Sequence, residues 1–139
     1  MKQVDFEAFL MGLPYVQREE NFGYSFFFVG SNHRLPFVTI ADSDNEYDNV
    51  SNLDREGVFR LNLGVSKETF GRLCADTVDN IDYSVLNVFL PHPEYASQHF
   101  VCILNPMGHN VEKTKELIIE SHAIAKRRLR RKSESSPTN

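Results

Sequence analysis

The sequence predicts an α+β fold: a single antiparallel β-sheet of about five strands covered by N-terminal, central and C-terminal helices. Three observations carry that expectation. Phe59, Leu61, Leu63 and Val65 alternate with Val58, Arg60, Asn62 and Gly64, the period of two that marks a strand with an apolar row on a core and a mixed row outside. Ser66 follows at once as an N-cap, with Glu68 in the first turn and Phe70 and Leu73 facing inward, so a strand runs directly into a helix. Phe6, Phe9, Leu10 and Leu13 near the start, and Thr114, Leu117, Ile118, Ser121, Ile124 and Ala125 near the end, repeat at helical spacing and supply the two outer helices.

Taken in order, the first helix spans Val4 to Leu13 and stops at Gly12 and Pro14. Tyr15 to Glu19 and Tyr24 to Val29 form a hairpin around Asn21–Gly23, and Pro36 to Ala41 is a third strand with its proline at the start, where no ladder donor is needed. The loop Asp42 to Asn52 gathers Asp42, Asp44, Glu46 and Asp48 on alternate residues. A calcium loop also needs glycine at its sixth position and glutamate at its twelfth; here those positions hold Tyr47 and Leu53, so a solvated acidic loop is expected and no metal site. Tyr83 to Leu90 fits a strand or a short helix equally, and Pro91, His92 and Pro93 end it. His99 to Leu104 is a strand, Asn105–His109 a turn, and Asn110 caps a final helix to about Arg131. A single domain over residues 1–132 and a disordered tail over 133–139 complete the chain.

Composition narrows the function classes. A chain of 139 residues with 11 Phe, 5 Tyr and no Trp buries a Phe-rich core without staples. Cys74 and Cys102 are too few for a disulfide scaffold, no signal segment precedes the first helix, and no apolar run approaches the roughly 20 residues of a membrane span. A cytoplasmic location without membrane insertion is the expectation. The net charge of −4 hides an asymmetry, since Lys126, Arg127, Arg128, Arg130, Arg131 and Lys132 supply six of the 15 basic residues. Without residues 126–139, nine basic and 18 acidic side chains remain, a net charge of −9 that repels nucleic acid everywhere but the tail. Cations in the last turns of a helix also simply complement its dipole.

No G-x-S-x-G elbow, glycine-rich phosphate loop or paired helical histidines occur, which removes the familiar hydrolases, nucleotide-binding enzymes and zinc sites. The candidate ligand-binding residues are Arg55, Arg60, Asn62, His92 and Tyr95. Arg60 and Asn62 point the same way from the central strand, where a planar guanidinium beside an amide holds a carboxylate or similar anion; the competing reading pairs Arg60 with Asp42, Asp44 or Asp54. His92 sits in the stiff bend Pro91–Tyr95, where the Glu94 carboxylate would orient its imidazole. Cys74 and Cys102 read as core thiols.

Pro36–Asp44, Leu53–Phe70, the Pro91–Tyr95 bend and the strand His99–Pro106 together resemble an uncharacterised bacterial family of unknown function, over roughly residues 10–128. The last strand, its turn and the helix bearing Glu120–Arg128 are similar to the C-terminal part of MmcQ/YjbR-like proteins, which implies a small α+β domain with an antiparallel sheet covered by helices. A remoter resemblance to haem-binding proteins implies an apolar slot at Phe26–Phe28, an axial His92 or Tyr95, and Arg60 for the propionates. Three function classes follow. The first is a non-catalytic small-ligand module, with haem or another planar anion as the leading candidate, held by the Arg60/Asn62 face and the Pro91–Tyr95 bend. The second is a protein or nucleic-acid interaction module working through the basic helix end. The third is an enzyme using His92 with Asp54 or Glu94 as acid and base. Self-association into a homodimer stays open.

Overall fold

The computed structural model describes residues 1–135, with side chains to Arg131; the last four residues of the expected tail lie outside the described residues. Helix α1 (Gln3–Met11) leads into the hairpin β1 (Val16–Asn21) and β2 (Tyr24–Val29). Its two-residue turn, Phe22–Gly23, has positive φ at both positions, 54° and 79°, the backbone hand that matches the twist of the flanking strands. Strands β3 (Val38–Ala41) and β4 (Arg60–Gly64) follow, then helix α2 (Lys67–Leu73), the two-residue β5 (Leu90–Pro91), β6 (Phe100–Leu104) and helix α3 (His109–Ser135). One antiparallel sheet results, in the order β1-β2-β3-β4-β6-β5. The α+β architecture is the expected one, with six strands where about five were read, the sixth being the short β5. Among the described residues no helix is long and apolar enough to cross a membrane.

The register explains the layers. Phe27, Val38, Leu63 and Val101 form one row across the sheet, and Ile40, Leu61 and Ile103 the next but one. Both rows enter one cluster with Phe6 and Leu10 of α1 and Leu117 and Ile118 of α3. His122 Nε2 meets the Pro14 carbonyl at 2.8 Å, pinning α3 to the α1–β1 connection. Ser66 caps α2 as read, its Oγ accepting the Thr69 N–H at 3.1 Å. Glu120 of α3 accepts the Ser66 N–H and the Thr69 hydroxyl, so the N-terminus of α2 is anchored to the middle of α3.

Several expectations are corrected. The outward row of the central strand is not outside: Arg60 and Asn62 are as buried as Leu61 and Leu63, because loops cover the face that helices leave bare. The segment Tyr83–Phe89 is neither strand nor helix, and only Leu90 and Pro91 join the sheet. Pro91 stands on its outer edge, where a missing N–H costs no ladder bond. Asn110 lies inside α3 rather than capping it, and its Nδ2 donates to Asn87.

Candidate functional site

Tyr24, Phe26 and Phe28 alternate with the inward Phe27 and Val29, so β2 presents aromatic rings on both faces. Phe26 shares a row with Thr39, Asn62 and Cys102, and Tyr24 shares the next but one on the same side with Ala41, Arg60 and Leu104. These rows face away from the helices. Loop segments around Arg34–Pro36, Asn45–Asp48 and His92–Gln98 wall that side and enclose a cavity of about 690 Å³. Asn62, 2% exposed, and His92, 7% exposed, are its deep polar groups. Phe22, Leu35, Tyr47 and Tyr95 stand exposed around the mouth.

Beneath this cavity lies a fully buried cation. Arg60 Nε donates to Asn62 Oδ1 at 3.0 Å, and Nη1 to Ser51 Oγ at 2.9 Å and Asp48 Oδ1 at 3.2 Å. Nη2 closes the fork on Asp48 Oδ2, which also accepts the Tyr24 hydroxyl. The pairing within the chain that the sequence offered for Arg60 is present, with Asp48 as the partner in place of Asp42, Asp44 or Asp54. Burial works against the Asp48 carboxylate, but the hydrogen bonds from Arg60 and Tyr24 outweigh it and hold its pKa below the ordinary range. Burial likewise opposes the Arg60 charge, and Asp48 more than restores it. Burial and the Asp48 carboxylate push the Tyr24 phenol up to about 12. The acidic loop is thus a wall latched to the sheet by one ion pair. Within it Asp44 accepts the Leu53 N–H and Asp42 the Gln3 side-chain amide, while Asp54, just beyond the loop, accepts the Asp44 N–H.

His92 is oriented differently from the sequence reading. Its Nδ1 accepts the backbone N–H groups of Glu94 and Tyr95, both at 3.0 Å, and the Glu94 carboxylate plays no part. With that lone pair used, the ring proton of the neutral imidazole sits on Nε2. Burial first, and then the positive charge of Arg60, push the His92 pKa down to about 4. Nε2 has no protein partner, yet among the described residues Thr114 Oγ1 is the buried side-chain atom that lacks one; the Nε2 edge therefore opens onto the cavity that His92 lines. The rings of Tyr95 and Phe100 lie 5.0 Å and 6.4 Å from the imidazole.

Of the five candidates, Asn62, His92 and Tyr95 line the cavity, Arg60 supports its base, and Arg55 stands apart. Arg55 donates to the carbonyls of Ser51, Asn52 and Ser84 and ties two loops together. Phe26, from the slot the sequence offered at Phe26–Phe28, lines the cavity, as do Tyr24, Thr39 and Phe100, which were not singled out; the aromatic residues on both faces of β2 were the available signal. Cys102 is fully buried on this face, its thiol pushed up to about 12 by burial. Arg127, Arg128, Arg130 and Arg131 are exposed at the far end of α3 and form no ion pair among the described residues.

A haem does not fit these residues. An axial histidine must offer a lone pair, and His92 has committed Nδ1 to two backbone donors and carries its proton on Nε2. Tyr95 packs against the rings of His92 and Phe100, neither of which supplies a charge to hold a phenolate. The propionates would meet Glu46 and Glu94 at the walls with the exposed Arg34 as the one cation in the lining, since Arg60 is already engaged by Asp48. The acid–base pairs considered for catalysis are also not assembled, since Asp54 bonds Asp44 and Glu94 reaches His92 only through its main chain.

Among known families the chain matches DUF6194, described as a family of unknown function, over residues 1–134. No curated protein and no solved structure gives a significant match. The part of the sequence resemblance that stands is the one to an uncharacterised family; MmcQ/YjbR-like and haem-binding proteins are not among the findings. With nearly its whole length covered by that match, the chain belongs to the DUF6194 family.

Proposed function

We propose that this chain is a non-catalytic binding module for a small, flat, mainly apolar molecule held between the rings on the helix-free face of the sheet. The observation that carries this reading is the cavity itself, about 690 Å³ and walled by aromatic side chains. That volume lies within the few hundred to about a thousand Å³ of small-molecule sites. Four large apolar side chains left exposed around one mouth are a second sign, since such groups usually stay in water only where something covers them. Asp48, Tyr24 and the Nδ1 of His92 are committed to holding walls in place, which suits binding better than turnover.

Nile red, a neutral flat dye that brightens in apolar surroundings, tests the reading. Saturable one-to-one emission is expected with the wild-type chain, and at least about a tenfold loss of affinity with Thr39→Phe, which places a ring in the cavity. Circular dichroism checks that the variant folds. Absence of saturable binding to the wild-type chain, or unchanged binding to a folded Thr39→Phe, would overturn the proposal.

A further inference from the structure

We infer that the ligand presents an uncharged hydrogen-bond acceptor, a carbonyl oxygen or a ring nitrogen on the edge of a flat aromatic body, to the Nε2–H of His92. This rests on the ligand-binding reading of the cavity and adds the chemistry of the occupant. A donor that opens onto a cavity is satisfied by water while the cavity is empty, and a ligand that displaces that water without offering an acceptor leaves the donor unpaired at the cost of its desolvation. His92 is more than nine-tenths buried, its Nε2 has no protein partner, and it faces the cavity.

The direction of the bond is fixed by the turn. If Nε2 were to accept, the ring proton would move to Nδ1, and there it would confront the N–H groups of Glu94 and Tyr95 and break both bonds. The site is therefore a donor, closed to a metal ion and to a ligand N–H or O–H at that point. Thr39 adds a second donor of the same kind. Its Oγ1 accepts from Asn62 Nδ2 at 2.9 Å, which leaves the hydroxyl proton to give, and Thr39 lines the same cavity.

Charge selects a neutral acceptor over an anion. The lining carries the carboxylates of Glu46, Asp48 and Glu94 against the single guanidinium of Arg34. Asp48 is balanced by Arg60, whose fork it fills, and Tyr24 keeps its proton to donate to that same carboxylate. No uncommitted cation remains deep in the cavity to compensate a carboxylate or phosphate drawn out of water between rings. Those rings, Phe26, Tyr95 and Phe100 among them, suit offset or edge-on contact with an aromatic body.

Three probes that share a two-ring body and differ at one edge test the inference: naphthalene, quinoline and 2-naphthoate, titrated at pH 8 into wild-type protein and His92→Asn. Asparagine retains an oxygen able to accept the two turn N–H groups and removes the ring edge that carries Nε2–H. Quinoline is expected to bind about threefold to tenfold more tightly than naphthalene, with naphthoate weakest, and the quinoline advantage should vanish in His92→Asn while naphthalene affinity holds. Long-range ¹H–¹⁵N spectra of the wild-type chain give an independent readout, a shift of the His92 Nε2 resonance with quinoline and not with naphthalene. Equal binding of quinoline and naphthalene, or tightest binding of naphthoate, overturns the inference and leaves the cavity reading standing. Failure of all three to bind, together with a negative Nile red result, removes both.

Discussion

Removing the Asp48 carboxylate should strand the Arg60 charge. Arg60 is fully buried, and its guanidinium reaches Asp48 through both Nη atoms. In Asp48→Ala the remaining acceptors are the Ser51 hydroxyl and the Asn62 carbonyl oxygen, both uncharged, and the Tyr24 hydroxyl loses its acceptor as well. Breaking a buried pair on one side costs about 3–5 kcal/mol, because an uncompensated ion stays out of water. For a domain of this length that loss lowers Tm by roughly 10–15 °C and removes a large part of the stability. Urea unfolding followed by circular dichroism measures it, with Arg60→Met/Asp48→Leu as the control in which no charge is left behind. The double variant should recover at least half of the loss, since replacing both members of a buried pair by apolar groups is often near neutral. A loss below about 1 kcal/mol in Asp48→Ala, or a double variant no better than the single one, would refute the reasoning that the pair is desolvated and mutually dependent.

Acid should weaken the fold through His92. Its folded pKa of about 4 lies under the unfolded value of 6.5, so below pH 6.5 the unfolded chain takes up a proton that the folded chain refuses. Stability therefore falls between pH 6.5 and 4 by about 3 kcal/mol from this group and levels below that, while the depressed Asp48 adds a further loss as the pH passes through its own range. Urea midpoints across that interval should show a shallower slope in His92→Asn than in the wild-type chain, and equal slopes would count against a buried neutral imidazole. Gly64→Ala would bring a Cβ to 2.9 Å from the Phe100 ring, so the ring must move; a cost of about 1–3 kcal/mol and an altered Nile red affinity are expected together, because Phe100 lines the cavity. A Gly64→Ala variant as stable as wild type, with unchanged dye affinity, would show that the contact is slack.

The elements legible in the sequence were those whose signals are local. The alternation from Phe59 to Val65, the Ser66 cap and the facing rows of α1 and α3 each depend on neighbours within a few residues. What escaped depends on chain brought from elsewhere. Arg60 and Asn62 read as outward from their alternation alone, and the reading that paired Arg60 with a carboxylate of the acidic loop could not say that the loop buries the whole face. The choice of Asp48 among several carboxylates was set by where the loop lands, with Asn45 Oδ1 gathering the Tyr47 and Asp48 N–H groups into a tight turn. Tyr83–Leu90 carried apolar residues without a decisive period, and the structure holds it by bonds to distant chain, Tyr83 to the Pro91 carbonyl, Ser84 to Arg55, and Asn87 to Leu104, Met107 and Asn110. The bend around His92 was recognised from its prolines, but the proton position came only with the main-chain donors that face Nδ1.

The two sides of the sheet divide the demands on the chain. Helices α1 and α3 close one side with interdigitated apolar residues, where volume is tightly constrained. The other side is finished by three loop segments, and the latched one is fastened through a polar fork at a single point. Substitutions at Leu35, Tyr47 or Tyr95 can therefore remodel the opening while the main apolar cluster is left intact. A chain built this way is free to change what it accepts by varying its surface segments, provided that Asp48 and Arg60 change together or not at all.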